Sequence, residues 1–473
     1  MTRGRRVAGL SALGAVAAAA TPPVADAHGL VGKQDLPIPA WLFTWGAAAV
    51  LVASFMGLAA LWSSPRLQVL RERLLARIPT VLQVLAGAVG VAAFAAVIYA
   101  GFAGVQEATS NLTPEVVYVI FWVGVPFLSA LLGDVFRAFN PWLAVGRATG
   151  WVARRLAGEA VPEPLHYPSW LGRWPAVAGV VIFAWVELVY SNKDDPSQLA
   201  IMALAYAAVQ LVGMSLFGAE IWSRRGDAFS VYFGLFARIS PLHWRDRALY
   251  RRPPLAGAPP LTPVAGTVAL LCTMIGTTSF DGFSQGTIWN DVVPHVQNGF
   301  LSLGLNAEHA LEAAGTLGLL AMVLLIGGLY RLGVTGMHSV NRSFATGDLA
   351  GRFVHTLIPI ALAYVVAHYF SLLAYQGQAM LYLISDPLGH GADLLGTARD
   401  TINYTWIGAT GIWYVQVGAL VVGHVAGLVL AHDRALALYS RPREATRSQY
   451  WMLAVMVFFT SLGLWLLSVA AQQ

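Results

Sequence analysis

The sequence predicts an all-α fold, a polytopic bundle of about ten transmembrane helices that follows a cleavable signal peptide. The chain is 57% hydrophobic and only 11% charged, with a mean hydropathy of +0.62. These values exclude an ordinary soluble domain. The 473 residues have room for about ten spans of ~20 residues with their loops. The arginines cluster in alternate loops, as they do in multi-pass membrane proteins.

The first 27 residues have the three parts of a secretory signal. Arg3, Arg5 and Arg6 form the charged region, residues 7–20 form the apolar core, and Ala25-Asp26-Ala27 is a small-residue cleavage site. Cleavage there would leave residues 28–473 as a single transmembrane helical domain that begins with His28.

The apolar runs that follow are long enough to cross a bilayer as helices. We predict spans at residues 39–62, 80–103, 114–132, 174–190, 197–222, 261–279, 307–330, 353–376, 411–431 and 450–469.

The basic residues orient these spans. Of the 29 lysines and arginines, three lie in the signal, 23 in the loops on one side and only Lys33, Lys193 and Arg399 on the other. Because basic loops stay in the cytoplasm, the mature N-terminus and the C-terminus are both predicted outside. The net charge of +5 therefore reflects membrane anchoring, and nucleic acid is not an expected partner.

The loops differ in character. Outer loops 280–306 and 377–410 are nearly free of basic residues and carry aspartates and histidines. On the inner side, residues 229–242 are apolar but too short to span, so we expect them to lie along the membrane interface. Cys272 is the only cysteine, which excludes an intrachain disulfide and a cysteine-based metal site.

The first candidate site is the stretch that opens the span at 307–330. On a helix, Glu308, His309 and Glu312 share one face, because they are spaced three and four residues apart. Ionisable groups at membrane depth persist where they meet each other, a metal, a proton path or water. The alternative is a polar helix end at the lipid headgroups, which we favour for Glu308 alone.

Two histidines lie inside other spans. With a rise of ~1.5 Å per residue, Glu312 is about 8 Å below the outer boundary, His368 about 12 Å and His424 about 20 Å. We expect Glu312 and His368 to converge, with His424 joining them only if its helix tilts. Imidazole and carboxylate groups together suit a divalent metal, with copper and zinc as the candidates, or a proton relay. The alternative for each histidine is an interhelical hydrogen bond.

The predicted mature N-terminus is a second candidate metal site. The free amine and the imidazole of His28 could chelate copper, and His295 or His390 from the outer loops could complete the site. The alternative is that signal cleavage leaves histidine first by accident.

Several segments are similar to one family of proteins. HGLVGKQDLPIPAWLF from His28, GDVFRAFNPW from Gly133, AHYFSLLAYQGQ from Ala367 and GHVAGLVLAHDR from Gly423 resemble actinobacterial integral membrane proteins that are labelled fenitrothion hydrolase. The resemblance covers nearly the whole mature chain. It implies a bacterial plasma-membrane protein that hydrolyses an organophosphate ester, a reaction that commonly uses a metal-activated water. It identifies no catalytic residues.

The leading hypothesis is therefore an outward-facing His/Glu metal site in a hydrolase of this kind, in contact with the bilayer and with a small apolar substrate. The alternatives are a transport protein that handles copper, another metal ion or protons, and a membrane subunit without catalysis. The sequence identifies no protein partner.

Overall fold

The computed structural model describes residues 40–158 and 162–470. The fold is mostly helical, with 72% of the residues in helices and few in strands. The predicted signal peptide and His28 lie outside the described residues.

Helices follow one another along the described chain. Their bounds are α1 Ala40–Leu61, α2 Thr80–Ala103, α3 Leu112–Leu132, α4 Val135–Phe139, α5 Pro141–Ala157, α6 Trp174–Leu188, α7 Pro196–Phe217, α8 Ala219–Arg225, α9 Ala228–Phe236, α10 Thr267–Ser284, α11 Thr287–Ser302, α12 Ala307–Val340, α13 Thr346–Phe353, α14 Leu357–Tyr375, α15 Met380–Ser385, α16 Ala409–Leu438, α17 Pro442–Ser448 and α18 Tyr450–Ala470.

Each of the ten predicted spans coincides with one of these helices. Within residues 40–158 and 162–470, seven helical stretches are long and apolar enough to cross a membrane, and α1 and α6 contain shorter apolar runs. The chain is therefore a multi-pass membrane protein, and its apolar helices suit a lipid bilayer.

Short polar side chains begin several helices. The side chain of Asn140 accepts a hydrogen bond from Leu143 N at 2.9 Å, and that of Asp195 accepts one from Gln198 N at 3.0 Å. In both cases proline is the first helical residue. An N–H at this position has no acceptor within the helix, so the N–H that proline lacks costs no hydrogen bond. Local sequence therefore sets where these helices start.

Helix α3 departs from α-helical geometry over residues 115–124. There the chain forms the wider π-helix, in which each N–H bonds to the carbonyl five residues earlier, as Val125 N does to Ile120 O. Such stretches are rare and occur frequently at functional sites. This one carries Tyr118 and Trp122.

The mostly helical fold fits the all-α prediction and adds one small sheet to it. Strands β1 (Arg73–Arg77), β2 (Leu242–Arg245) and β3 (Ala248–Arg251) pair antiparallel in the order β1-β3-β2. Asp246 and Arg247 turn the chain between β2 and β3 with positive φ values of 50° and 59°, as a two-residue hairpin requires. The sheet lies in the arginine-rich loops, which we call the arginine-rich end of the bundle.

The expectation that residues 229–242 lie along the interface is wrong for α9. Every residue of α9 except Gly234 is buried, and the helix packs against α6, α3 and α14. Asp227 holds its first turn by accepting hydrogen bonds from the N–H and hydroxyl of Ser230. A short helix that is apolar all round fits a core as well as an interface.

The opposite end of the bundle holds the 189–195 turn and the segments 285–306 and 376–408, and we call it the acidic end. The predicted loop 280–306 is largely helical, because α10 continues to Ser284 and α11 covers Thr287–Ser302. Loop 377–410 contains α15 and is otherwise irregular.

Candidate functional site

A buried ion pair lies inside the bundle near the acidic end. His368 Nε2 on α14 is 2.8 Å from Asp281 Oδ2 on α10, and the two side chains are 7% and 1% exposed. The extension of α10 past the predicted span end places Asp281 on a helix, level with its partner. An imidazole and a carboxylate at this distance share one proton, and burial makes its position sensitive to their surroundings.

A second acid lies beside this pair. Glu187, near the end of α6, is 8% exposed and lies close enough to Asp281 for the two carboxyl groups to interact electrostatically. The Tyr369 hydroxyl is within hydrogen-bonding reach of both carboxyl groups. Trp122 of the π-helix is next to them. Three helices, α6, α10 and α14, thus contribute to one group of side chains, the buried cluster: Glu187, Asp281, His368 and Tyr369.

The charges of the buried cluster do not balance when every group has its usual form. Two ionised carboxylates face one imidazole, whose protonation compensates only one of them. Two like charges buried together strongly favour protonation of one carboxyl group. The Glu187 carboxyl oxygen Oε2 is buried and accepts no hydrogen bond from the described residues, which also favours a protonated Glu187. The cluster can therefore hold and exchange protons.

Glu312 lies above the buried cluster, at the acidic end. Its Oε1 accepts hydrogen bonds from Ser191 N at 3.0 Å and Ser191 Oγ at 2.9 Å. Its Oε2 is 3.2 Å from His309 Nδ1. Sequence reasoning expected Glu312 to converge with His368. Within the described residues the carboxylate found at His368 is Asp281, and the partners of Glu312 are Ser191 and His309.

His424 lies deeper in the bundle. Helices α14 and α16 are antiparallel, and Gly423 packs against Ala363 and the Pro359 carbonyl. This register puts Gln416 level with His368 and His424 about 10 Å further toward the arginine-rich end. The His424 Nδ1–H donates to the Leu420 carbonyl at 2.7 Å. This hydrogen bond lies within α16, whereas the alternative in the sequence analysis was a hydrogen bond to another helix.

The remaining predicted site residues lie at the surface of the acidic end. His295 is exposed, and its Nδ1 bonds to the Asp291 carbonyl of its own helix at 2.9 Å. His390 is exposed in a loop, where its backbone N–H bonds to Asp386. Glu308 is exposed in the first turn of α12. His28 lies outside the described residues, so its predicted proximity to His295 and His390 stays a prediction.

The number of ligating side chains that lie together decides how well these residues suit a metal ion. Among the described residues, no group of three or more histidine, cysteine, aspartate or glutamate side chains is arranged to hold a metal ion. Protein sites for zinc usually supply three or four ligands, and the Asp281–His368 pair supplies two. A copper or zinc site at this pair would therefore need a further ligand from outside the described residues, and His28 is a candidate.

Sequence reasoning missed the partner of His368 because it ended the span at residue 279. A signal was present, since Thr273, Thr277 and Asp281 are spaced four residues apart and form a polar stripe on one helix face. Tyr369 was missed because a tyrosine within an apolar run is ordinary.

Comparison with known proteins gave no match to the chain, whether with protein-family models, with curated proteins or with solved structures.

Proposed function

We propose that the protein handles protons within the membrane, and that the buried cluster binds and releases them. The observation that carries the proposal is the Asp281–His368 pair at 2.8 Å, buried in a bundle of apolar helices. Buried ionisable groups in membrane helices are expensive, and proton relays of transport proteins use such groups. This is the transport alternative of the sequence analysis, with protons as the handled ion.

The chemistry of the cluster supports this function. A proton bound at Glu187 can pass to the Tyr369 oxygen while the Tyr369 proton passes to Asp281. One O–H bond forms as another breaks at each step, so the total charge is conserved. His368 then takes the proton at Nε2 and becomes an imidazolium beside the Asp281 carboxylate. Imidazole is suited to this task because its charge changes near neutral pH.

The proposal includes a topology. We infer ten membrane-spanning helices, with the arginine-rich end in the cytoplasm and the acidic end outside the bacterial plasma membrane. Support comes from the one-sided distribution of arginines in the sequence. In this orientation the buried cluster lies in the outer half of the membrane.

A hydrolase remains the prediction of the sequence resemblance, and a metal transporter remains an alternative to it. Both functions need metal ligands beyond the Asp281–His368 pair. Elemental analysis of purified, signal-processed protein addresses them directly, and a stoichiometric copper or zinc content that falls on replacement of His28 would favour them.

The proton proposal is tested with purified protein in vesicles that contain a pH-sensitive dye. After an acid step outside, we expect wild-type vesicles to acidify faster than empty ones. Asp281→Asn should reduce the protein-dependent rate roughly tenfold or more, because the amide cannot take up the proton. Asp291→Asn, an exposed acid of the same end, is the matched control.

Infrared difference spectra of the same samples make the test independent of any transported solute. A pH step should change a protonated-carboxyl band in wild type, and Glu187→Gln should remove that band. Spectra and acidification rates that are the same in wild type, Asp281→Asn and Glu187→Gln would overturn the proposal.

A further inference from the structure

The stretch that opens α12 joins the solvent to the region above the buried cluster. His309 is 64% exposed, Glu312 is 14% exposed and Glu187 is 8% exposed. Ser191, which holds the Glu312 carboxylate through two hydrogen bonds, follows Glu187 by four residues. Ionisable side chains therefore succeed one another from water toward the cluster, with decreasing exposure.

The 189–195 turn links this stretch to the cluster. The Tyr118 hydroxyl donates to the Lys193 carbonyl at 2.8 Å, which fastens the π-helix to the turn. Both Tyr118 and Lys193 are close enough to Glu187 to interact with its charge. On the other side of the turn, Trp185 Nε1 donates to Thr316 Oγ1 at 2.8 Å, so α6 and α12 are held together next to Glu312.

We infer that Glu312 is the entrance through which protons from the acidic end reach the buried cluster. This inference rests on the proposed function and adds the access route. A hydronium ion or the His309 imidazolium gives its proton to the Glu312 carboxylate. Water molecules between the two carboxyl groups pass the proton on to Glu187, and each molecule gives one proton as it takes another, so that each O–H bond formed matches one broken. Ser191 is a positioning residue, since its two bonds hold the carboxylate over this route.

Several charged groups lie on the helix of Glu312 or on neighbouring elements and can affect the electrostatic potential at its carboxylate. On its own helix and on the neighbouring elements they are Glu308, His309, Lys193, Asp194, Asp291 and His295. Of these, His309 is in hydrogen-bonding contact with the carboxylate.

Glu308 offers a matched control on the same helix. It is one turn from Glu312, has the same charge and is exposed, and it has no part in the bonds to Ser191. Glu308→Gln and Glu312→Gln therefore make the same change in net charge at the same end of the bundle. Only Glu312→Gln removes the acid that we infer to be the proton entrance.

The experiment is a stopped-flow acid step on the full protein in vesicles. We expect Glu312→Gln to slow proton uptake roughly tenfold while the final extent of carboxyl protonation stays at the wild-type level. Glu308→Gln should match wild type, and Glu312→Asp should restore part of the rate, which also shows that the site tolerates substitution. Equal rates of proton uptake for Glu312→Gln and Glu308→Gln would overturn the inference that Glu312 is the entrance.

The outcome for Asp281→Asn separates the two proposals. If it stops proton uptake while Glu312→Gln does not slow it, the entrance fails and the proposed function stands. If Asp281→Asn leaves uptake unchanged, the proposed function itself fails.

Discussion

Two buried aspartates of the bundle have opposite surroundings. Asp227, 0% exposed, accepts hydrogen bonds from Asn140 Nδ2 at 2.9 Å, Trp142 Nε1 at 2.6 Å, Ser230 Oγ at 2.6 Å and the Tyr206 hydroxyl at 2.8 Å. Asp281, 1% exposed, is paired with the imidazole of His368 at 2.8 Å.

The difference shows how burial of the same side chain serves two purposes. The amide, indole and hydroxyl donors around Asp227 occupy both of its oxygens and link the start of α9 to α5 and α7. Around Asp281 the imidazole and a second carboxyl group compete for protons. The first arrangement specifies a structure, and the second permits a change of charge state.

Replacing each aspartate with asparagine should give the largest contrast in stability. In Asp227→Asn, one carboxylate oxygen becomes an NH2 group that cannot accept from the donors facing it, so we expect the free energy of unfolding to fall by about 3 kcal/mol or more. In Asp281→Asn, a polar side chain of the same size stays beside His368 and one like charge next to Glu187 is lost. We expect a decrease of about 1 kcal/mol or less. Thermal unfolding in detergent, followed by fluorescence, measures both.

The reverse order of stabilities would contradict this comparison. Measuring proton uptake makes the comparison more specific, because Asp281→Asn should unfold near the wild-type temperature and still lose proton uptake.

Two buried tryptophans provide a test in which the expected change in stability is intermediate. Trp142 donates to Asp227 at 2.6 Å, whereas the Trp122 N–H lies beside Glu187 and Tyr369 without a hydrogen bond of regular geometry to any described residue. Both indoles are buried, so Trp→Phe removes a similar amount of ring from each. We expect Trp142→Phe to lower the free energy of unfolding by about 1.5–3 kcal/mol more than Trp122→Phe. Denaturant titration of the two variants checks this, and equal losses would assign the effect to ring packing alone.

The smallest effect is expected at an exposed acid of the arginine-rich end. Glu220 forms ion pairs with Arg137 and Arg147, and its side chain is 50% exposed. Partial burial raises the pKa of Glu220, but Arg137 and Arg147 outweigh it and hold that pKa below its ordinary value. Because solvent screens the pairs, Glu220→Gln should lower the free energy of unfolding by only ~0–1 kcal/mol.

The sign of the pH dependence follows from the lowered pKa. The stabilisation by Glu220 is present above the pKa of the unfolded chain and is lost as the pH falls through the lower, folded pKa. Unfolding temperatures of wild type and Glu220→Gln should therefore differ at neutral pH and converge in acid. A difference that grows in acid would contradict the ion pairs.

The sequence by itself determined where the helices are. All ten predicted spans coincide with helices, because hydropathy over ~20 residues and the proline and aspartate signals at helix starts are local properties of the chain. The first turn of α12, with Glu308, His309 and Glu312 on one face, was also predictable, since helical spacing alone fixes it.

Only the tertiary structure decided which groups meet. Depth along the membrane matched His368 with Glu312, yet the structure pairs it with Asp281. The rotation of each helix about its axis depends on packing, as where Gly423 lets α16 approach α14 closely, and no single span encodes it. The burial of α9 and the pairing of β1 with β3 likewise join segments far apart in the chain. Hydropathy reports how apolar a segment is, and the partner that covers it is a property of the whole fold.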